Sequence, residues 1–193
     1  MFEDEAGFGR ISDPIHCWAP PKQRPSVPSQ RVRQYKTVYG AVSPIDGERI
    51  FVVLEKSNSE NMNIFLKALS EKFPNDIILL CLDRASWHTS TDKKKKGKKG
   101  ETEIKGKLVV PKNIVLFHLP PRSPEMNPIE QIWKEIRKRG FKNKIFGSIE
   151  AVVAKFHEVI DGLENSTIIS ITLRDWIESF YKCQIMPSIL DAD

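Results

Sequence analysis

The chain has 193 residues, 40% apolar and 28% charged, with 30 Lys and Arg against 25 Asp and Glu for a formal net charge of +5; this is the balance of one water-soluble globular domain. No apolar run reaches the ~18 residues of a membrane span, and the acidic start MFEDEAGFGR lacks the apolar segment of a secretory signal. Three scattered cysteines (Cys17, Cys81, Cys183) exclude a disulfide framework or a zinc knuckle, and predict a reduced, cytoplasmic setting.

MFEDEAGF predicts a short strand with Asp4 at its end, and the proline-rich residues 11–34, which lack periodicity, predict a long loop. KTVYGAV (36–42) and RIFVVLE (49–55) are β-rich runs joined by SPIDGE, whose Asp46-Gly47 signals a hairpin turn. Met62, Phe65, Leu66, Leu69 and Phe73 follow helical spacing after a cap at Asn58 or Ser59, and Pro74 stops the helix. DIILLCLD (76–83) is a continuous apolar run, the pattern of a strand buried on both faces, and NIVLFHL (113–119) is another. Between them residues 91–112 read as a flexible, lysine-rich insertion. Three helices are expected after that. One starts at Pro128 with Ile129, Ile132, Trp133 and Ile136 on one stripe; one follows Ser148 with Val152, Val153, Phe156, Val159, Ile160 and Leu163; one runs from Ser166 to Tyr181 with Ile169, Trp176 and Phe180. The order predicts an α/β fold, a mixed sheet flanked by helices, in a single domain over residues 1–193.

The positive charge is concentrated. Six lysines lie in KKKKGKKG (Lys93, Lys94, Lys95, Lys96, Lys98, Lys99), and without them the basic count falls from 30 to 24 against 25 acids. Two weaker clusters are Arg24, Arg31, Arg33 and Lys36, and Lys134, Arg137, Lys138, Arg139, Lys142 and Lys144. Such clusters suit a polyanion through phosphate neutralisation, although by charge alone they also describe a solvated surface.

Three carboxylates fall at element ends: Asp4, Asp83 after the most apolar strand, and Glu130 in the first turn of a helix. In sheets with parallel strands, ligands gather at the carboxyl ends of the strands. Glu130 has two readings. With Asn127 as cap and Pro128 as the first helical residue, Glu130 at N3 can close a capping box. Alternatively Pro120, Pro121 and Pro124 fix the path of a loop that delivers it to a site. Three converging carboxylates repel one another unless they hold divalent cations, with Mg²⁺ the hard, oxygen-seeking choice, and two such ions form the clamp used in phosphodiester chemistry.

FEDEAGFGR, LDRASWH and LPPRSPEMNPIEQIW, with HCWAPPKQRPSVPSQ and KTVYGAVSP, resemble the catalytic domain of mariner-like transposases, nearest to the bacterial insertion sequence 630 family. The resemblance runs from Phe2 to Trp133, and the proline motif ending in NPIE is its most specific part. It implies a ribonuclease-H-like five-stranded fold and a DDE triad of Asp4, Asp83 and Glu130. It further implies two Mg²⁺ ions, replaceable by Mn²⁺, and cleavage and strand transfer of double-stranded DNA at transposon ends and target. A nucleoid-associated protein, with a possible homodimer, follows from that reading.

Several positions depart from the family pattern. Arg84 follows the second acid, where a small or amide residue is usual, and either holds a phosphate or weakens metal binding; Arg122 replaces a tyrosine and is a candidate for DNA contact. Lys134, Arg137 and the six lysines are further candidates for DNA contact. His88 can serve by bonding to phosphate or to a carboxylate. The 46 residues between Asp83 and Glu130 exceed the usual interval, with the lysine stretch in place of a helix. Only three residues precede Asp4, with none of the family's helix-turn-helix region, as in a second reading frame, a fragment or a decayed copy. The alternatives are an inactive DNA-binding or dimerising remnant, or another ribonuclease-H-like nuclease such as a junction resolvase.

Overall fold

The computed structural model describes residues 1–12, 14–86, 88, 95–96, 102–103 and 108–184. Five strands form one sheet in the order β3-β2-β1-β4-β7. They are β1 (Phe2–Ile11), β2 (Arg31–Val42), β3 (Arg49–Leu54), β4 (Ile78–Leu82) and β7 (Ile114–His118). Lys95–Lys96 (β5) and Thr102–Glu103 (β6) form a separate short antiparallel ladder. The β1–β2–β3 meander is antiparallel, whereas β1–β4 and β4–β7 are parallel, so the sheet is mixed as expected.

Alternation along the strands assigns each face a core. Val38 and Val42 of β2, with Ala6 and Phe8 of β1, face α2 (Ile129–Gly140), α3 (Ile149–Asp161) and α4 (Asn165–Thr172). Tyr39 and Ala41, with Leu80 and Leu82 of β4, face α1 (Ser59–Lys72). α1 starts where Asn58 accepts the Asn61 N–H at 2.8 Å, and α3 starts where Ser148 accepts that of Ala151 at 3.2 Å.

The structure corrects the sequence reading in five places. β2 begins at Arg31, so residues 31–34, expected in the long loop, belong to a strand whose Arg31 pairs with Ile11. β1 does not end at Asp4; it runs on to Ile11 because antiparallel pairing with β2 continues past the acids. Val115 (52%) and Phe117 (53%) of the edge strand β7, and Leu79 (42%) of β4 beside Val115, are exposed, so neither strand is buried on both faces. The last helix is broken at Leu173, which is extended, into α4 and α5 (Asp175–Gln184). That break turns Ile177 inward onto Phe2 and Cys81, and leaves Trp176 and Phe180 half exposed. Residues 108–112, expected within the flexible insertion, are docked: Leu108 is buried beside α1, and the Val109 N–H donates to Asn63. Lys93, Lys94, Lys98 and Lys99 lie outside the described residues.

Candidate active site

Strand register brings the first two acids together. Phe2 of β1 pairs with Cys81 of β4 in parallel, so two residues further on Asp4 and Asp83 stand at the same level. β4 ends at Leu82, and the sheet opens there. The third acid arrives with the proline loop. That loop leaves β7 with the Leu119 N–H bonded to the Leu82 carbonyl at 2.8 Å. It then forms a turn of 3₁₀ helix at Pro124–Met126 and is tied to β1 by Asn127, whose buried amide donates to the Glu3 carbonyl at 2.8 Å. Glu130 follows in the first turn of α2.

The capping-box reading of Glu130 does not fit this geometry. The Asn127 N–H, which a capping glutamate would need, donates to the Pro124 carbonyl at 3.0 Å, and the Asn127 side chain caps nothing in α2. Pro128 instead enters the helix with φ already at −66°. The stiff loop and the Asn127 anchor fix where α2 begins, and hence where Glu130 stands.

Asp4, Asp83 and Glu130 line one cleft of about 330 Å³. Each of the two aspartates is held by a partner. The Trp133 indole N–H donates to Asp4 Oδ2 at 3.0 Å; this tryptophan, expected as core, is fully buried and also orients Asp4. It packs closely because β2 has Gly40 beneath it, where a Cβ would stand 2.6 Å from the indole. Asp83 Oδ1 accepts from the Ala85 N–H at 2.8 Å and contacts His88 Nδ1 at 2.9 Å. Burial, with the Glu130 charge behind it, pushes Asp4 up to about 7 against the pull of the Trp133 bond. Asp83 moves the other way, held below the usual carboxylate range by its bond to His88. Asp4, Asp83 and Glu130 thus line one cleft with oxygen donors of the kind a hard divalent cation takes.

The candidate phosphate contacts separate into groups. Arg84 and Arg122 line the cleft with the acids. Arg84 Nε is anchored on the Leu119 carbonyl at 3.2 Å, and Arg122 sits at φ 60°, a strained left-handed conformation for a side-chain-bearing residue. Lys134 is exposed on α2. Arg137 is largely a packing residue, with its guanidinium 5.0 Å from the Phe8 ring centre and a bond to the Gly7 carbonyl. His88 is not a surface contact for DNA: it is 1% exposed, and its ring nitrogens face Asp83 and Glu5. Burial opposes its charge, but the bonds to Asp83 and Glu5 prevail and hold its pKa well above the ordinary histidine value. Its spacing of five after Asp83 was the only sequence signal for this role. Nothing in the sequence pointed to Asn127 as the tie to β1.

No helix among the described residues is long and apolar enough to cross a membrane. Comparison with known proteins places this geometry in context. The uncharacterized protein y4pE/y4sA of Sinorhizobium fredii is 33% identical over 144 residues, which cover 72% of this chain and 94% of that protein. A Mos1 transposase paired-end complex with left transposon end superposes with a TM-score of 0.62 at 14% identity. Mos1 paired-end complexes with Mn and with Mg give 0.61 and 0.58, both at 15% identity. In all three the match covers 94% of this chain and 53% of the other, so the chain spans about half the length of those transposases. The fold is therefore ribonuclease-H-like, as in mariner transposases. The family model of DDE superfamily endonucleases matches residues 1–153, and the chain belongs to that family.

Proposed function

We propose that this chain is the catalytic domain of a DNA transposase, which cleaves DNA strands at transposon ends and joins them to a target. The observation that carries the reading is the convergence of Asp4, Asp83 and Glu130 on one cleft from three separate elements. The three carboxylates hold Mg²⁺, as two ions, with Mn²⁺ able to substitute; the Mos1 complexes with Mg and Mn support that choice. When bound, the ions supply the charge neutralisation that in-line phosphodiester displacement needs.

The chain's own residues then have defined tasks. Trp133 and the Ala85 N–H fix the two aspartates in rotamers that face the cleft. Asp4, raised by burial and by the Glu130 charge, would be held in its charged form by a cation bound in the cleft. Arg84 and Arg122 at the rim take the phosphates flanking the cut strand, with Lys134 further along the path. The lysines from Lys93 to Lys99 add a sequence-independent hold on the backbone. One sheet carries every described α-helix, which supports a single catalytic unit, and work on chromosomal DNA would place it at the nucleoid, as one copy or as a homodimer.

The test is cleavage of end-labelled linear DNA carrying the element's terminal repeats, with Mg²⁺ or Mn²⁺. Wild type should nick the ends and produce joined products, whereas Asp83→Asn and Glu130→Gln should lose both while still binding DNA. Metal-dependent cleavage that survives either substitution refutes the assignment. Salt-sensitive binding with no cleavage by wild type would instead identify a DNA-binding remnant.

A further inference from the structure

A second set of donors lies across β1 from the cleft. Glu3 and Glu5 are two residues apart on the strand, so they share the face opposite to Asp4. Their partner is His88. The side chains are 0% (Glu3), 8% (Glu5) and 1% (His88) exposed. His88 Nε2 is 3.1 Å from Glu5 Oε1 and 3.7 Å from Glu3 Oε2, and one donor atom from each residue lies within 4.8 Å of the others. Neither oxygen of the Glu3 carboxylate has a hydrogen-bond partner. A fully buried carboxylate without a donor is strongly unfavourable when charged, so Glu3 can carry its charge only beside a cation.

We propose that Glu3, Glu5 and His88 form a second divalent-metal site, separate from the Asp4, Asp83 and Glu130 cleft, that takes a first-row transition ion of the Zn²⁺ type. Two carboxylate oxygens and one imidazole nitrogen form a mixed donor set that favours Zn²⁺ or its neighbours over Mg²⁺. Ligands ~2.1 Å from a tetrahedral ion stand roughly 3.4 Å from one another, and the 3.1 and 3.7 Å spacings about Nε2 straddle that value. The far side of the ring is also prepared. His88 Nδ1 lies 2.9 Å from Asp83 Oδ1, the carboxylate–histidine–metal arrangement that fixes a ligand's tautomer and orientation. An ion at Nε2 would thus set the orientation of Asp83 from behind. In the metal-free molecule a proton on Nε2 stands in its place.

The probe is Co²⁺ added to chelator-treated protein and read by visible absorption, because four-coordinate cobalt absorbs far more strongly than six-coordinate. Wild type and the Asp4→Asn/Glu130→Gln double variant should both show the intense bands, with Zn²⁺ displacing them. Glu3→Gln and Glu5→Gln should abolish them. Glu3→Gln should fold at least as well as wild type without metal, since it removes a buried acid with no hydrogen-bond partner, whereas Glu5→Gln loses its contact with His88 and should melt lower; melting curves check that both are folded. Intense bands that persist in Glu3→Gln overturn the proposal. So does a wild type with only weak six-coordinate bands that vanish in the double variant, because the cation between these carboxylates is then His88 itself.

Discussion

Replacing Asp4 by asparagine should make the metal-free protein more stable, and only as pH rises. Asparagine keeps the shape and an oxygen for the Trp133 indole but removes the charge facing Glu130. Asp4 has a folded value of about 7 against 3.8 for the free side chain. Because the folded value is raised, the wild-type contribution is fully present below the unfolded value and is lost as pH climbs through the folded one. At about 1.4 kcal/mol per unit the shift corresponds to about 4 kcal/mol, a ceiling because the cleft admits water. Urea unfolding of both proteins in chelator, from about pH 4 to about pH 8, reads the difference. Asp4→Asn should gain on wild type progressively across that range, towards that ceiling. Parallel stability curves, or a variant that weakens as pH rises, would refute the reasoning that Asp4 is charged against its surroundings.

Other consequences can be checked singly. Trp133→Phe removes the indole donor and leaves a cavity in a fully buried position, and should cost about 2–3 kcal/mol of stability in urea unfolding; pH titration followed by NMR should show Asp4 moving higher still, since the bond that lowers it is gone. Gly40→Ala places a methyl 2.6 Å from the indole and 2.8 Å from Phe51, and should cost about 1–3 kcal/mol, with weaker cleavage as Trp133 is displaced. His88→Ala strips the buried carboxylates of their cation and should cost roughly 3–5 kcal/mol by the same unfolding assay.

The sequence carried the fold well where patterns were local. The Asp46-Gly47 hairpin and the α2 stripe of Ile129, Ile132, Trp133 and Ile136 are legible because their signals are local, and the apolar run of β4 marks a strand even though Leu79 is 42% exposed. It failed where neighbours decide. Val115, Phe117 and Leu79 look like buried-strand residues, yet whether a strand face is covered depends on where distant elements pack, and all three are exposed. The α4–α5 break has no proline or glycine to announce it, and follows from the docking of Ile177. Asp83 and Glu130 were visible as acids at element ends, whereas Asp4 lies inside β1, and their common cleft depends on the Phe2–Cys81 register, a long-range fact. The support around them was hidden for the same reason. Trp133 and Asn127 act across 129 and 124 residues of chain, and His88 reaches back 83 residues to Glu5.

The most direct test of the central claim, that these acids form one metal-holding site, is the melting temperature with and without Mg²⁺ for wild type and Glu130→Gln. With ~10 mM ion and a Kd of ~1 mM, linkage gives roughly 1.4 kcal/mol, a shift of about 3–5 °C for a domain of this size. The account predicts that shift in wild type, its loss in Glu130→Gln, and a metal-free variant at least as stable as wild type because repulsion with Asp4 is relieved. An equal shift in both proteins, or none in a folded wild type, would contradict it.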